Sequence, residues 1–210
     1  ASATVEFALP DSTAPKPLPP QQLSAMAFTF PTVMSRGRGG YEAVRDHLLR
    51  RVWGSRYDRL QRATPRAGAR TAPAGSLIEV DLSWIAPGSP DLVGYYIGRS
   101  LREDAGYELI EDLLNPHAGL WIDYGTRLSP ETDYYYRVTA VNAQGVNSDP
   151  SNTATARPLG QITVRGPVDN AASATPTFEW DTLVGAFAYD VQLFDSYPDR
   201  FVSPRWEADT

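Results

Sequence analysis

From Ser76 onward the chain alternates. IEVDLSW sets Ile78, Val80, Leu82 and Trp84 on one side and Glu79, Asp81 and Ser83 on the other, the period of a strand with one face in a core. GYYIGRS, YELIEDL and LWIDY continue the pattern. Pro, Gly, Ser and Asp turn signals separate them at intervals of about 8–12 residues, which predicts a β-sandwich. LSPETDYYYRVTAVN carries the most information. Tyr134, Tyr136, Val138 and Ala140 share one parity and are expected to face the core, with Tyr135, Arg137 and Thr139 facing out. A buried tyrosine needs a partner for its hydroxyl. Where a strand enters the second sheet, that hydroxyl can bond back to the backbone a few residues upstream. Leu128, Pro130 and Thr132 stand where such a corner needs an apolar plug, a rigid turn and a small polar residue.

Upstream the period changes. In YEAVRDHLLRRVWGSRYDRLQR, Tyr41, Val44, Leu48, Leu49, Val52, Trp53, Tyr57 and Leu60 recur at steps of three and four, with arginine on much of the opposite side. This predicts an amphipathic basic helix within residues 36–66, bounded by SRGRGG before it and Thr64-Pro65 at its end. Gly54 costs about 1 kcal/mol relative to Ala and marks a bend or break. Residues 67–75, small and proline-containing, read as a linker. Residues 1–35 are rich in proline and read as an extended, polyproline-like arm, or alternatively as a disordered tail. Within the arm, Val5 and Phe7 alternate with Glu6, and Phe28 and Phe30 alternate with Thr29, as in short half-buried strands.

The residues after Ser76 resemble the fibronectin type III family. Trp84 matches the family's tryptophan in the second strand, and Tyr95 and Ile97 match the aromatic and aliphatic positions of the third. Leu128, Pro130, Thr132, Tyr134, Tyr136, Val138, Ala140 and Asn142 match its tyrosine-corner motif in register. Trp121-Ile122-Asp123 is most similar to bacterial members. The resemblance implies a fibronectin type III (immunoglobulin-like) β-sandwich over residues 76–158. A partial second copy is expected over 159–210, with Phe178 and Trp180 in its second strand and Tyr189, Val191 and Leu193 in its third. This is about half of the roughly 100 residues of a whole domain. Three completions are open: a longer protein, the N-terminal strand pieces, or a partner chain.

Composition narrows the chemistry. The 210 residues suffice for one large or two small domains, and no cysteine is present, which excludes disulfides, thiolate nucleophiles and Cys-based metal sites. No run of about 18 apolar residues occurs, so no helical membrane span is expected. Neither a G-x-S-x-G elbow nor a P-loop is present, and GRGG at 37–40 reads as a joint rather than a phosphate loop. His47 and His117 stand far apart, and the acidic pairs Glu103-Asp104 and Glu111-Asp112 read as solvated surface. No cofactor, metal or small-molecule substrate is expected, and the chain is read as no enzyme. An aromatic sugar platform from Tyr95, Tyr96, Trp121 and Tyr124 competes with their use as core.

Charge is uneven. The net is −6, yet Arg36 to Arg70 holds ten arginines against Glu42, Asp46 and Asp58, a net of +7. Such a segment is expected to meet something acidic: the chain's own sandwich, a protein partner or an anionic membrane surface. Nucleic acid is disfavoured, because the rest of the chain would repel phosphate. Arg45, Arg50, Arg51, Trp53, Arg56, Arg59, Phe28 and Phe30 are the candidate partner-binding residues. Together these features lead to the expectation of a structural, interacting subunit of an exported bacterial assembly, periplasmic or extracellular and peripheral on a membrane complex. The alternative is an accessory module of a secreted polysaccharide-degrading enzyme. A start at Ala1 fits either a processed or a trimmed N-terminus.

Overall fold

The computed structural model describes residues 14–30, 77–124, 128–167, 175–191, 194–196, 200–201 and 206–208. Two antiparallel sheets pack face to face. One holds β1 (Gln21–Phe30), β2 (Leu77–Ile85) and β5 (Leu120–Tyr124) in the order β1-β2-β5. The other holds β3 (Leu92–Ser100), β4 (Glu108–Leu113), β6 (Tyr134–Asn142) and β7 (Ala154–Ala156) in the order β4-β3-β6-β7. The three-plus-four division and the crossing from β5 to β6 define a fibronectin type III-like sandwich.

Parity builds the core as the sequence predicts. Ile78, Val80, Leu82 and Trp84 of β2 meet Tyr95 and Ile97 of β3 and Tyr134, Tyr136, Val138 and Ala140 of β6, all buried in one cluster. The Trp84 and Tyr95 rings meet edge to face at 5.3 Å, a favoured aromatic geometry. The corner forms as expected: the Ser129 amide donates to the Tyr134 hydroxyl at 2.8 Å, and Leu128 is buried beneath it. The register shift between Leu92 and Gly94 of β3 needs glycine, because a Cβ at Gly94 would lie 2.3 Å from the Leu113 carbonyl oxygen. β4 is an edge strand, and Glu108, Glu111 and Asp112 on it discourage pairing with another chain.

The sandwich begins earlier than residue 76. Gln21–Phe30, read from sequence as part of an arm outside the domain, is its first strand and pairs with β2 from Ser24↔Ser83 to Phe30↔Leu77. Without it β2 would present an open edge. Which side of β1 faces inward also differs from the reading based on Phe28 and Phe30. Leu23, Ala25 and Ala27 face the core, and Phe28 lies on the opposite face. The proline stretch before β1 is extended, with Pro17 and Pro20 buried. An extended segment of this kind has no internal hydrogen bonds, so its polar groups find neighbours. The Asn142 Nδ2 donates to the Pro15 carbonyl at 3.1 Å, and the Leu18 amide donates to the Ser89 hydroxyl at 3.2 Å.

Beyond the sandwich, β8 (Val164–Gly166) pairs with β9 (Glu179–Trp180), β10 (Tyr189–Val191) with β13 (Trp206–Ala208), and β11 (Phe194–Ser196) with β12 (Arg200–Phe201). These short ladders form the partial second sandwich. Trp180 and Tyr189, expected in its second and third strands, lie in β9 and β10 with ring centroids 5.8 Å apart. The expected basic helix (36–66), the linker (67–75) and the strand piece at Val5 and Phe7 lie outside the described residues.

Candidate functional site

β2 is the middle strand of its sheet, so its odd residues face away from the core. On an open sheet they would meet water. Instead Glu79, Asp81 and Ser83 are 2%, 0% and 0% exposed. Register places Ser24 and Leu120 beside Ser83, Met26 and Ile122 beside Asp81, and Phe28 beside Glu79. The Ser24 and Ser83 hydroxyls share a hydrogen bond of 2.8 Å, which confirms that they point to the same side. Leu120 is buried yet stands outside the core cluster, as a residue of this outer face should. Two carboxylates buried side by side on one strand are costly unless each is paired, and neither Glu79 nor Asp81 is without a partner.

A second polar group lies at one end of the core. Asp123, from β5, accepts from the Arg99 guanidinium at 2.8 Å and from the Tyr136 hydroxyl at 3.0 Å. Arg99 also stands over the Tyr134 ring, 5.4 Å from its centroid. Burial, then the adjacent Asp123 charge, pushes the Tyr136 hydroxyl far above the usual tyrosine range. Burial likewise pushes Tyr95 up to about 12, and its hydroxyl donates to the Pro116 carbonyl at 3.0 Å. Every group here is engaged in bonds that join strands. Among the described residues, no cluster of three His, Asp or Glu side chains converges.

In the second unit an open groove of about 500 Å³ is lined by Arg165, Phe178, Glu179, Trp180, Asp181, Thr182 and Tyr189. The Arg165 Nε donates to Asp181 at 2.7 Å along its rim. Val164, Phe178, Val184 and Phe187 are exposed in the same unit, the last two at 96% and 92%.

Of the sequence-derived candidates, Phe28 falls on the outer sheet face and Phe30 ends β1 opposite Leu77. Arg45, Arg50, Arg51, Trp53, Arg56 and Arg59 lie outside the described residues. The aromatic platform does not assemble: Tyr95 is fully buried, and Trp121 packs against the core. His117 sits exposed in its turn, where its amide bonds to the Asn115 side chain. Sequence reasoning missed Glu79 and Asp81, since alternation alone assigns polar odd positions to solvent. The available signal was the basic segment directly preceding their strand.

No family model and no curated protein sequence matches the chain. Among solved structures it is similar to an Fn3-like protein from Clostridium thermocellum, with 19% identity, covering 70% of this chain and 98% of that one at a TM-score of 0.38. It is similar to the FN1–FN3 domains of chicken CNTN1, with 14% identity, 62% and 46% coverage and a TM-score of 0.40. It is also similar to a β-1,2-glucanase from Parabacteroides distasonis, with 25% identity, 40% and 11% coverage and a TM-score of 0.34. The chain thus spans about a tenth of the glucanase and under half of the CNTN1 segment. These superpositions are loose, and the fold is defined by strand order, register and core.

Proposed function

We propose that the chain is a non-catalytic structural module of an exported bacterial assembly, in which the first sandwich is a rigid spacer and the second unit engages a partner protein. The observation that carries this reading is the exposed apolar surface of the second unit. Val164, Phe178, Val184 and Phe187 stand in solvent around an open groove, while the first sandwich buries its own apolar residues. Contiguous exposed apolar residues of this kind mark interaction sites. The polar groups inside the first sandwich are used up in strand-to-strand bonds, which suits a spacer. Gel filtration of native material after mild detergent extraction tests the reading. The chain is expected to elute with a larger assembly, and Val184→Asp with Phe187→Asp is expected to release it. A free, stable monomer at native abundance contradicts the proposal.

A second reading, an accessory module of a secreted polysaccharide-degrading enzyme, is favoured by one feature. Phe178, Trp180 and Tyr189 line the groove beside charged Arg165 and Asp181, and aromatic rings combine an apolar face with polar tips in the manner sugar rings require. It calls for retention of the chain on insoluble glycans, lost in Trp180→Ala.

A further inference from the structure

The connection from β1 to β2 runs through residues 31–76, yet its two ends, Phe30 and Leu77, are register partners on one rung of the sheet. Hairpin loops are ordinarily two to five residues long, and long ones are functional or carry structure of their own. This one leaves and returns at the rung next but one to Glu79, on the sheet whose outer face holds the buried carboxylates. It carries ten arginines and a net charge of +7.

The cations available elsewhere are committed. Lys16 pairs with Asp149, Arg99 with Asp123, Arg102 with Asp104, Arg157 with Glu131 and Asp133, and Arg165 with Asp181. Arg137 donates to the Thr153 hydroxyl and the Glu103 carbonyl. Arg200 belongs to β12 of the second unit. Glu79 and Asp81 nevertheless have partners, and a buried carboxylate is tolerated where a guanidinium supplies charge and donors together. An anionic lipid surface is the wrong occupant for a face built on two carboxylates.

We propose that the outer face of the β1-β2-β5 sheet is the docking surface for the chain's own β1–β2 connection, held by arginine pairs to Glu79 and Asp81. Of the three acidic targets open to the basic segment, self, partner or lipid, this selects self. The inference stands apart from the proposed function, which rests on the second unit.

The chain has no cysteine, so Ser83→Cys places a single thiol on the covered face. Its rate of modification by a maleimide reagent is measured in the full chain, native and urea-unfolded, over a range of protein concentrations. The native rate is expected to be at least about tenfold below the unfolded rate and independent of concentration, as an intramolecular cover requires. Adding Arg45, Arg50, Arg51, Arg56 and Arg59→Gln, none of them in the sandwich, is expected to raise the native rate about tenfold, equivalent to about 1.4 kcal/mol, with the near-UV circular dichroism of the Trp84–Tyr95 core unchanged. Modification at the unfolded rate in the dilute native chain overturns the proposal. So does protection that grows with concentration, which assigns the face to a second copy, or protection that requires anionic vesicles. A rate indifferent to the five substitutions in a folded chain also overturns it.

Discussion

Tyr136 shows how a single side chain is held by both the core and its polar end. Its ring is fully buried between the sheets, and its hydroxyl reaches the Asp123 carboxylate that Arg99 neutralises. Removing the hydroxyl leaves that carboxylate one donor short, which costs about 1–3 kcal/mol. The same contact makes stability depend on alkaline pH. An unfolded tyrosine titrates near 10.0, whereas folded Tyr136 is held well above that, and Tyr95 at about 12. Because the folded pKa values are raised, the stabilisation is complete below pH 10 and is lost as pH rises beyond it. Urea midpoints measured between pH 8 and about 12 should therefore fall above about pH 10. Tyr136→Phe should lower the midpoint at neutral pH and flatten the alkaline fall. An equally steep fall in the variant would detach the effect from Tyr136.

At the scale of elements, the strands differ in how far sequence betrays them. β2, β3 and β6 each carry alternation long enough to fix both their existence and their inward face, and the tyrosine corner fixes the crossing between sheets. β1 carried a weaker signal. Its inward residues are Leu23, Ala25 and Ala27, two of them small, while the conspicuous Phe28 points outward. Its partner strand lies across a long connection, so local pattern alone could not place it in the sandwich. The burial of Glu79 and Asp81 was hidden for a related reason: period two tells which residues share a face, not what covers it. β1 is also clasped from the other sheet. The Leu23 amide donates to the Asn152 Oδ1 at 2.9 Å, and the Asn152 Nδ2 returns a bond to the Leu23 carbonyl at 2.8 Å. Asn152→Ala should cost about 1–3 kcal/mol for the two backbone groups left unpaired. Thermal unfolding checks this, and an unchanged midpoint would show the clasp to be incidental.

The whole molecule is a seven-stranded sandwich followed by a smaller, partial one. The first strand of the sandwich and its neighbour are separated by an arginine-rich insertion. The proline stretch, β1 and the residues around Leu159 close its rim: the Thr29 hydroxyl donates to the Leu159 carbonyl at 2.7 Å, and the Glu131 amide to the Pro158 carbonyl at 2.7 Å. If β1 is integral, its amides share the cooperative stability of the core rather than that of a chain terminus. Hydrogen–deuterium exchange read by mass spectrometry measures this directly. Peptides covering Gln21–Phe30 should exchange as slowly as those covering Leu77–Ile85, and both should open together as denaturant is added. Rapid exchange of Gln21–Phe30 while Leu77–Ile85 stays protected would contradict the account, since β2 would then stand as an edge and the outer face would lose the strand on which its cover begins.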